Sequence, residues 1–145
     1  MQYVTMSQYA ASSVANIFPH AEYKLKDSGN YIGLVYRKSA GSNADDYFAV
    51  YANSSQNGAI GGTNAGKDIT LICDGEWHIW LVEINTTSYN PETGLASIRL
   101  DYFNQAASAG NTVDIAFVAT YDSEEQAMDH FEAWDAYYNL GMFEE

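Results

Sequence analysis

Along most of the chain, apolar and polar positions alternate in short runs, and clusters of Gly, Ser, Asn and Asp separate the runs. A period of two broken by turn residues predicts many short strands. The predicted strands are Gln2–Ser7, Glu22–Leu25, Tyr31–Lys38, Asp46–Asn53, Asp68–Cys73, Glu76–Asn85, Leu95–Phe103 and Thr112–Tyr121. Strand side chains point alternately to opposite faces. Ile32, Leu34 and Tyr36 therefore share one face, and Tyr31, Gly33, Val35 and Arg37 the other. Phe48 and Val50 are set against Tyr47, Ala49 and Tyr51 in the same way. Asp74-Gly75 between two runs predicts a hairpin. Ser54–Lys67 is too small and polar to pack a core and predicts a long loop, with room for a short edge strand near Ala59–Ile60.

The period changes after Ser123. Ser123 reads as an N-cap, Glu124 and Glu125 as first-turn acids, and Gln126 as the partner of a capping box. Ala127, Phe131, Trp134 and Tyr138 then recur at helical spacing, with Met128 and Ala133 beside the stripe. This predicts an amphipathic helix over about 123–140, ending near Gly141 and covering one sheet or one end of the strands.

Composition narrows the class. At 145 residues, 47% of them hydrophobic, the chain suits one globular domain spanning 1–145. Six Lys and Arg against nineteen Asp and Glu give a net charge of −13. Nucleic-acid affinity comes largely from basic side chains displacing counterions, so this charge argues against nucleic acid and anionic membranes as partners. The single cysteine, Cys73, rules out an internal disulfide and reads as a small buried hydrophobe. No apolar stretch reaches the ~20 residues of a membrane-spanning helix. Met1–Tyr9 lacks the features of a signal peptide, and the start on a strand-like run predicts a module cut from a longer chain.

Catalytic motifs are missing from the sequence. There is no P-loop, dinucleotide fingerprint or nucleophile elbow, and His20, His78 and His130 stand apart from any metal-ligand partner. Glycoside hydrolysis needs two carboxylates at a set separation. Glu83 shares a strand face with Trp77, Ile79 and Leu81, and Asp101 shares one with Arg99 and Phe103. These neighbours suggest ligand contact or sheet bracing rather than an acid pair. The expectation is a non-catalytic protein.

The order of several segments carries a resemblance. They are Gly29-Asn30-Tyr31-Ile32-Gly33-Leu34-Val35-Tyr36-Arg37, Asp74-Gly75-Glu76-Trp77-His78, Ile98-Arg99-Leu100-Asp101, Val113-Asp114-Ile115-Ala116-Phe117-Val118 and Tyr121-Asp122-Ser123-Glu124-Glu125-Gln126-Ala127. From about Met1 to Ala127 the chain resembles the galactose-binding-like domains that act as carbohydrate-binding modules in secreted or cell-surface bacterial proteins. The resemblance implies an all-β fold, a two-sheet antiparallel jelly-roll sandwich, here with one C-terminal α-helix. It also implies an extracellular or cell-surface location, a glycan ligand and one structural Ca²⁺, for which Asp122 and Asp114 near the final strand are the candidate ligands.

Aromatic rings can take the C–H faces of sugars while Arg and Asp bond the hydroxyls. On strand alternation, Tyr47, Tyr51, Arg37, Arg99 and Asp101 oppose the most aliphatic faces and are the candidate sugar contacts, with Trp80 as a sixth. The alternative is a structural or protein-interaction domain supporting neighbouring domains of a parent protein. Trp134, Tyr137 and Tyr138 on the helix would then make the contact.

Overall fold

The computed structural model describes residues 1–7, 14–16, 21–24, 31–39, 47–53, 63–65, 69–83, 95–103 and 112–143. Among these residues nine strands and one helix follow in order: β1 (Val4–Ser7), β2 (Val14–Asn16), β3 (Ala21–Lys24), β4 (Tyr31–Arg37), β5 (Tyr47–Asn53), β6 (Thr63–Ala65), β7 (Trp77–Glu83), β8 (Leu95–Phe103), β9 (Thr112–Tyr121) and α1 (Glu124–Tyr138). All strand pairs are antiparallel. One sheet runs β1-β9-β4-β7. The second runs β2-β8-β5-β6, and β3 also pairs with β8.

β4 shows how alternation becomes packing. Ile32, Leu34 and Tyr36 are buried and face the second sheet, where Phe48 meets Tyr36 edge-to-face at 5.7 Å and Trp80 at 5.6 Å. The opposite face, with Val35 and Gly33, receives α1. There Ala127 and Phe131 are fully buried against Val35, Trp77 and Tyr121. The Phe131 ring lies 5.9 Å from Phe117 and 5.6 Å from Tyr121. Burying such a side chain contributes roughly 1.5–3 kcal/mol. Gly33 is what lets the helix approach: a Cβ there would sit 2.7 Å from the Phe131 ring. A glycine inside a strand signals a close approach of this kind.

The helix starts as its sequence predicts. Gln126 N–H donates to Ser123 Oγ at 3.0 Å, and Gln126 Oε1 accepts from Asp122 N–H, one residue earlier than a reciprocal capping box would require. The helix ends at Asn139 in the left-handed conformation, with φ 53°. Buried Asp135 then holds the tail, its Oδ1 accepting from Met142 N–H at 2.9 Å.

Two expectations are corrected. The hairpin across Asp74-Gly75 does not form, because residues 69–76 make no strand. Their hydrogen bonds go to the end of β4 instead. Ile72 N–H donates to Tyr36 Oη at 3.0 Å and Gly75 N–H to the Lys38 carbonyl at 2.7 Å, while Leu71 turns inward. Cys73 is half-buried rather than enclosed. The short edge strand within 54–67 is Thr63–Ala65; the site expected for it, Ala59–Ile60, lies outside the described residues. β2 is a strand that the pattern did not predict. Among the described residues, no helix is long and apolar enough to cross a membrane.

Candidate functional site

Register divides the six predicted contact residues into three groups. Tyr47, Tyr51, Arg99 and Asp101 lie on the neighbouring strands β5 and β8. Tyr51 stands opposite Arg99, Ala49 opposite Asp101 and Tyr47 opposite Phe103. The rows continue sideways, with Asn64 of β6 opposite Tyr51 and Asn16 of β2 opposite Asp101. Phe48 and Val50 are the buried positions of β5, at 0% and 1% exposure. Position 47 therefore lies on the other side of the pleat, and 99, 101 and 103 are the register partners of 51, 49 and 47. Tyr47 is half-buried; for Tyr51, Arg99 and Asp101 the main chain alone is among the described features. Asn16 and Asn64 were missed because neither short strand has a readable alternation of its own.

Arg37 belongs to the first sheet, so it cannot join that face. One row crosses four strands: Thr5, Asp114, Arg37 and Trp77 stand side by side in register. Arg37 Nε and Nη2 donate to Asp114 Oδ2 at 3.0 and 2.8 Å, and Thr5 Oγ1 donates to Oδ1 at 2.7 Å. The guanidinium lies over the Trp77 ring at 4.5 Å and the Tyr3 ring at 5.1 Å. Each such contact is worth roughly 0.5–2 kcal/mol. The bond to Asp114 holds the Arg37 pKa above its ordinary value. Every strong polar group here is already engaged, which makes the cluster a brace locking β1 to the sheet. No local pattern reveals it, since its members come from four separate strands.

Trp80 lies between the sheets at 2% exposure, packed on Phe48. Both faces of its strand are apolar, and the inner one took it. Its Nε1 has no hydrogen-bond partner among the described residues.

The two candidate metal ligands do not converge. Asp114 is bound by Arg37 and Thr5, while Asp122 is exposed at the far end of β9. Eight strand residues place them roughly 25 Å apart. They do not fit a shared Ca²⁺. Among the described residues, no three His, Cys, Asp or Glu side chains group to hold a metal. At the loop before β7, His78 Nε2 lies 2.8 Å from Asp74 Oδ1. Asp74 also accepts from Glu76 N–H, and that backbone bond is the main cause of its lowered pKa.

Between the β9 side of the first sheet and α1 lies an open cleft of about 530 Å³. Gln2, Phe117, His130, Trp134 and Tyr138 are among its lining residues. His130 is exposed, and its Nδ1 is 2.7 Å from Tyr121 Oη. Burial pushes the Tyr121 pKa up to about 12, so the phenol keeps its proton. The chain matches no model of a known protein family and no curated protein.

Proposed function

We propose that the chain is a non-catalytic carbohydrate-binding module of secreted or cell-surface origin. It is built as a two-sheet jelly-roll sandwich and binds a glycan on the β5–β8 face of its second sheet. One observation carries the reading: Tyr47, Tyr51, Arg99 and Asp101 occupy adjoining register positions on the neighbouring strands β5 and β8, with Asn16 and Asn64 in the flanking rows. Tyrosine offers an apolar ring with a polar tip. Arg, Asp and Asn together supply both donors and acceptors for sugar hydroxyls. Arg37 and Trp80 leave the candidate set, since the first braces the other sheet and the second fills the core.

Strand order supports the jelly roll. Apart from the steps β2 to β3 and β5 to β6, successive strands pass from one sheet to the other, giving β1-β9-β4-β7 against β2/β3-β8-β5-β6, an order that fits two interlocked Greek keys. The extracellular setting rests on the resemblance to surface-protein modules, and neighbouring domains of such a parent are expected partners.

Affinity electrophoresis in gels containing a panel of plant and bacterial polysaccharides tests the reading. At least one polysaccharide should retard the protein. Tyr51→Ala and Arg99→Ala should each weaken retardation about tenfold or more, and Tyr137→Ala on the helix should not. Failure of every polysaccharide, or retardation that both sheet variants leave intact, would refute it.

A further inference from the structure

Residues 69–76 form neither helix nor strand, and run as a strap across the end of β4 into β7. Leu71 alone among them is buried; Cys73 is half-buried and the other six are exposed. Beneath the strap the balance is reversed, with residues 32–36 of β4 and Lys38 all buried. A segment with so few buried apolar contacts opens locally at lower cost than the sheet it lies on. Three bonds fasten it. Ile72 N–H donates to Tyr36 Oη at 3.0 Å, Gly75 N–H donates to the Lys38 carbonyl at 2.7 Å, and Asp74 Oδ1 meets His78 Nε2 at 2.8 Å. The first two tie the strap to β4, and the third ties it back to β7.

We propose that the strap is a proton-sensitive latch: gain of a proton by His78 closes it over the end of β4, and loss of that proton loosens it. A charged imidazole makes a full ion pair with the Asp74 carboxylate, whereas a neutral one leaves at most a hydrogen bond. Opening the strap separates the pair. Closure therefore favours the charged imidazole, and the charged imidazole favours closure. An open strap uncovers Leu71 and the Tyr36 end of the space between the sheets.

The groups around His78 set the direction. Asp74 and Glu76 flank it from the strap, and their charge favours the imidazolium. Cys73, the strap's other titratable group, bonds the Leu71 carbonyl at 3.9 Å. β4 brings Tyr36, whose ring lies 5.9 Å from that of His78, and Lys38 two residues on. Burial raises the Tyr36 pKa, so its hydroxyl stays neutral at neutral and mildly acidic pH. Arg37 between them is bound to Asp114 on the opposite face. Leu140, Gly141 and Met142 beyond α1 line one cleft with Asp74, Glu76 and His78, and Phe48 of β5 packs on Tyr36; none of these four titrates. The Glu76 N–H, and next His78, lower the Asp74 pKa, so the carboxylate's share of the pair is lost only as pH falls through the carboxylate range.

Amide hydrogen exchange of the whole chain, from about pH 5 to about pH 8, tests the latch. It is read as protection factors for the Ile72 and Gly75 amides, while NMR follows the His78 ring through its own titration. Protection at both amides should rise about two- to fivefold as His78 gains its proton, the worth of an exposed ion pair, with Leu34 and Val35 of β4 unchanged. His78→Gln and Asp74→Asn should each flatten the profile, and His130→Gln should leave it as it is. A flat profile in the parent protein, protection that falls on protonation, or a rise that survives in His78→Gln overturns the proposal. Exchange of Ile72 and Gly75 as slow as that of Leu34 does so too, since the strap would then open only with the sheet.

Discussion

Arg37 and Asp114 face each other across β4 and β9, joined through a single carboxylate oxygen by two N–H···O bonds of 3.0 and 2.8 Å. The second oxygen of Asp114 takes the Thr5 hydroxyl, so one carboxylate ties three strands. The pair is only partly exposed, at 32% and 20% for the two side chains. Asp114→Asn should cost about 1–2 kcal/mol, a charged hydrogen bond discounted for solvent. Arg37→Lys should cost less, keeping the charge but losing the planar fork. Urea unfolding curves of the two variants measure both. An Asp114→Asn protein as stable as the parent would show that the brace carries no weight.

Gly33→Ala should destabilise the protein by about 1–3 kcal/mol, in the range for overpacking a core. The added methyl would lie 2.7 Å from the Phe131 ring, 3.0 Å from Leu81 and 3.1 Å from Tyr121, so the helix has to lift. A lowered melting temperature, with loss of the near-ultraviolet signal from Trp77 and Trp134, is the expected result. Gly75→Ala should lose stability for another reason: space is open there, but φ is +81°.

Alkaline titration should weaken the fold. Burial raises the Tyr121 pKa to about 12, above the value near 10 of an unfolded chain, and it raises Tyr36 in the same direction. Between those values the folded state holds more protons than the unfolded one. Stability is therefore complete below about pH 10 and declines as pH rises toward about 12. Denaturant midpoints at pH 9 and pH 11, with tyrosinate absorbance followed in parallel, check the sign. Tyr121→Phe should flatten the slope.

Ser123→Ala should cost about 1 kcal/mol, the usual loss for an N-cap whose hydroxyl accepts a first-turn N–H. Helical circular dichroism and the melting temperature should fall together, because α1 is held by its contacts with β4 and β9. If the helix frays while the sheets keep their melting point, α1 is an independent appendage.

The sequence by itself determined what depends on local periodicity. β8 and β9 match their predicted runs, β4 and β5 differ by one residue at an end, and α1 starts after its predicted cap. Alternation also separated the two faces of β4, since Tyr36 meets Phe48 of the second sheet on one side while Val35 packs with Phe131 of α1 on the other. Tertiary structure decided which strands became neighbours. Alternation left Arg37 grouped with Arg99 and Asp101, and sheet assignment separated them, because it depends on pairing between residues far apart in the chain. The same long-range pairing turned Asp114 from a candidate metal ligand into the partner of Arg37, and sent the hydrogen bonds of residues 72 and 75 to β4 instead of a hairpin. It also set the register of β1 on β9, with Val4 opposite Ile115, which no periodicity within either strand could signal.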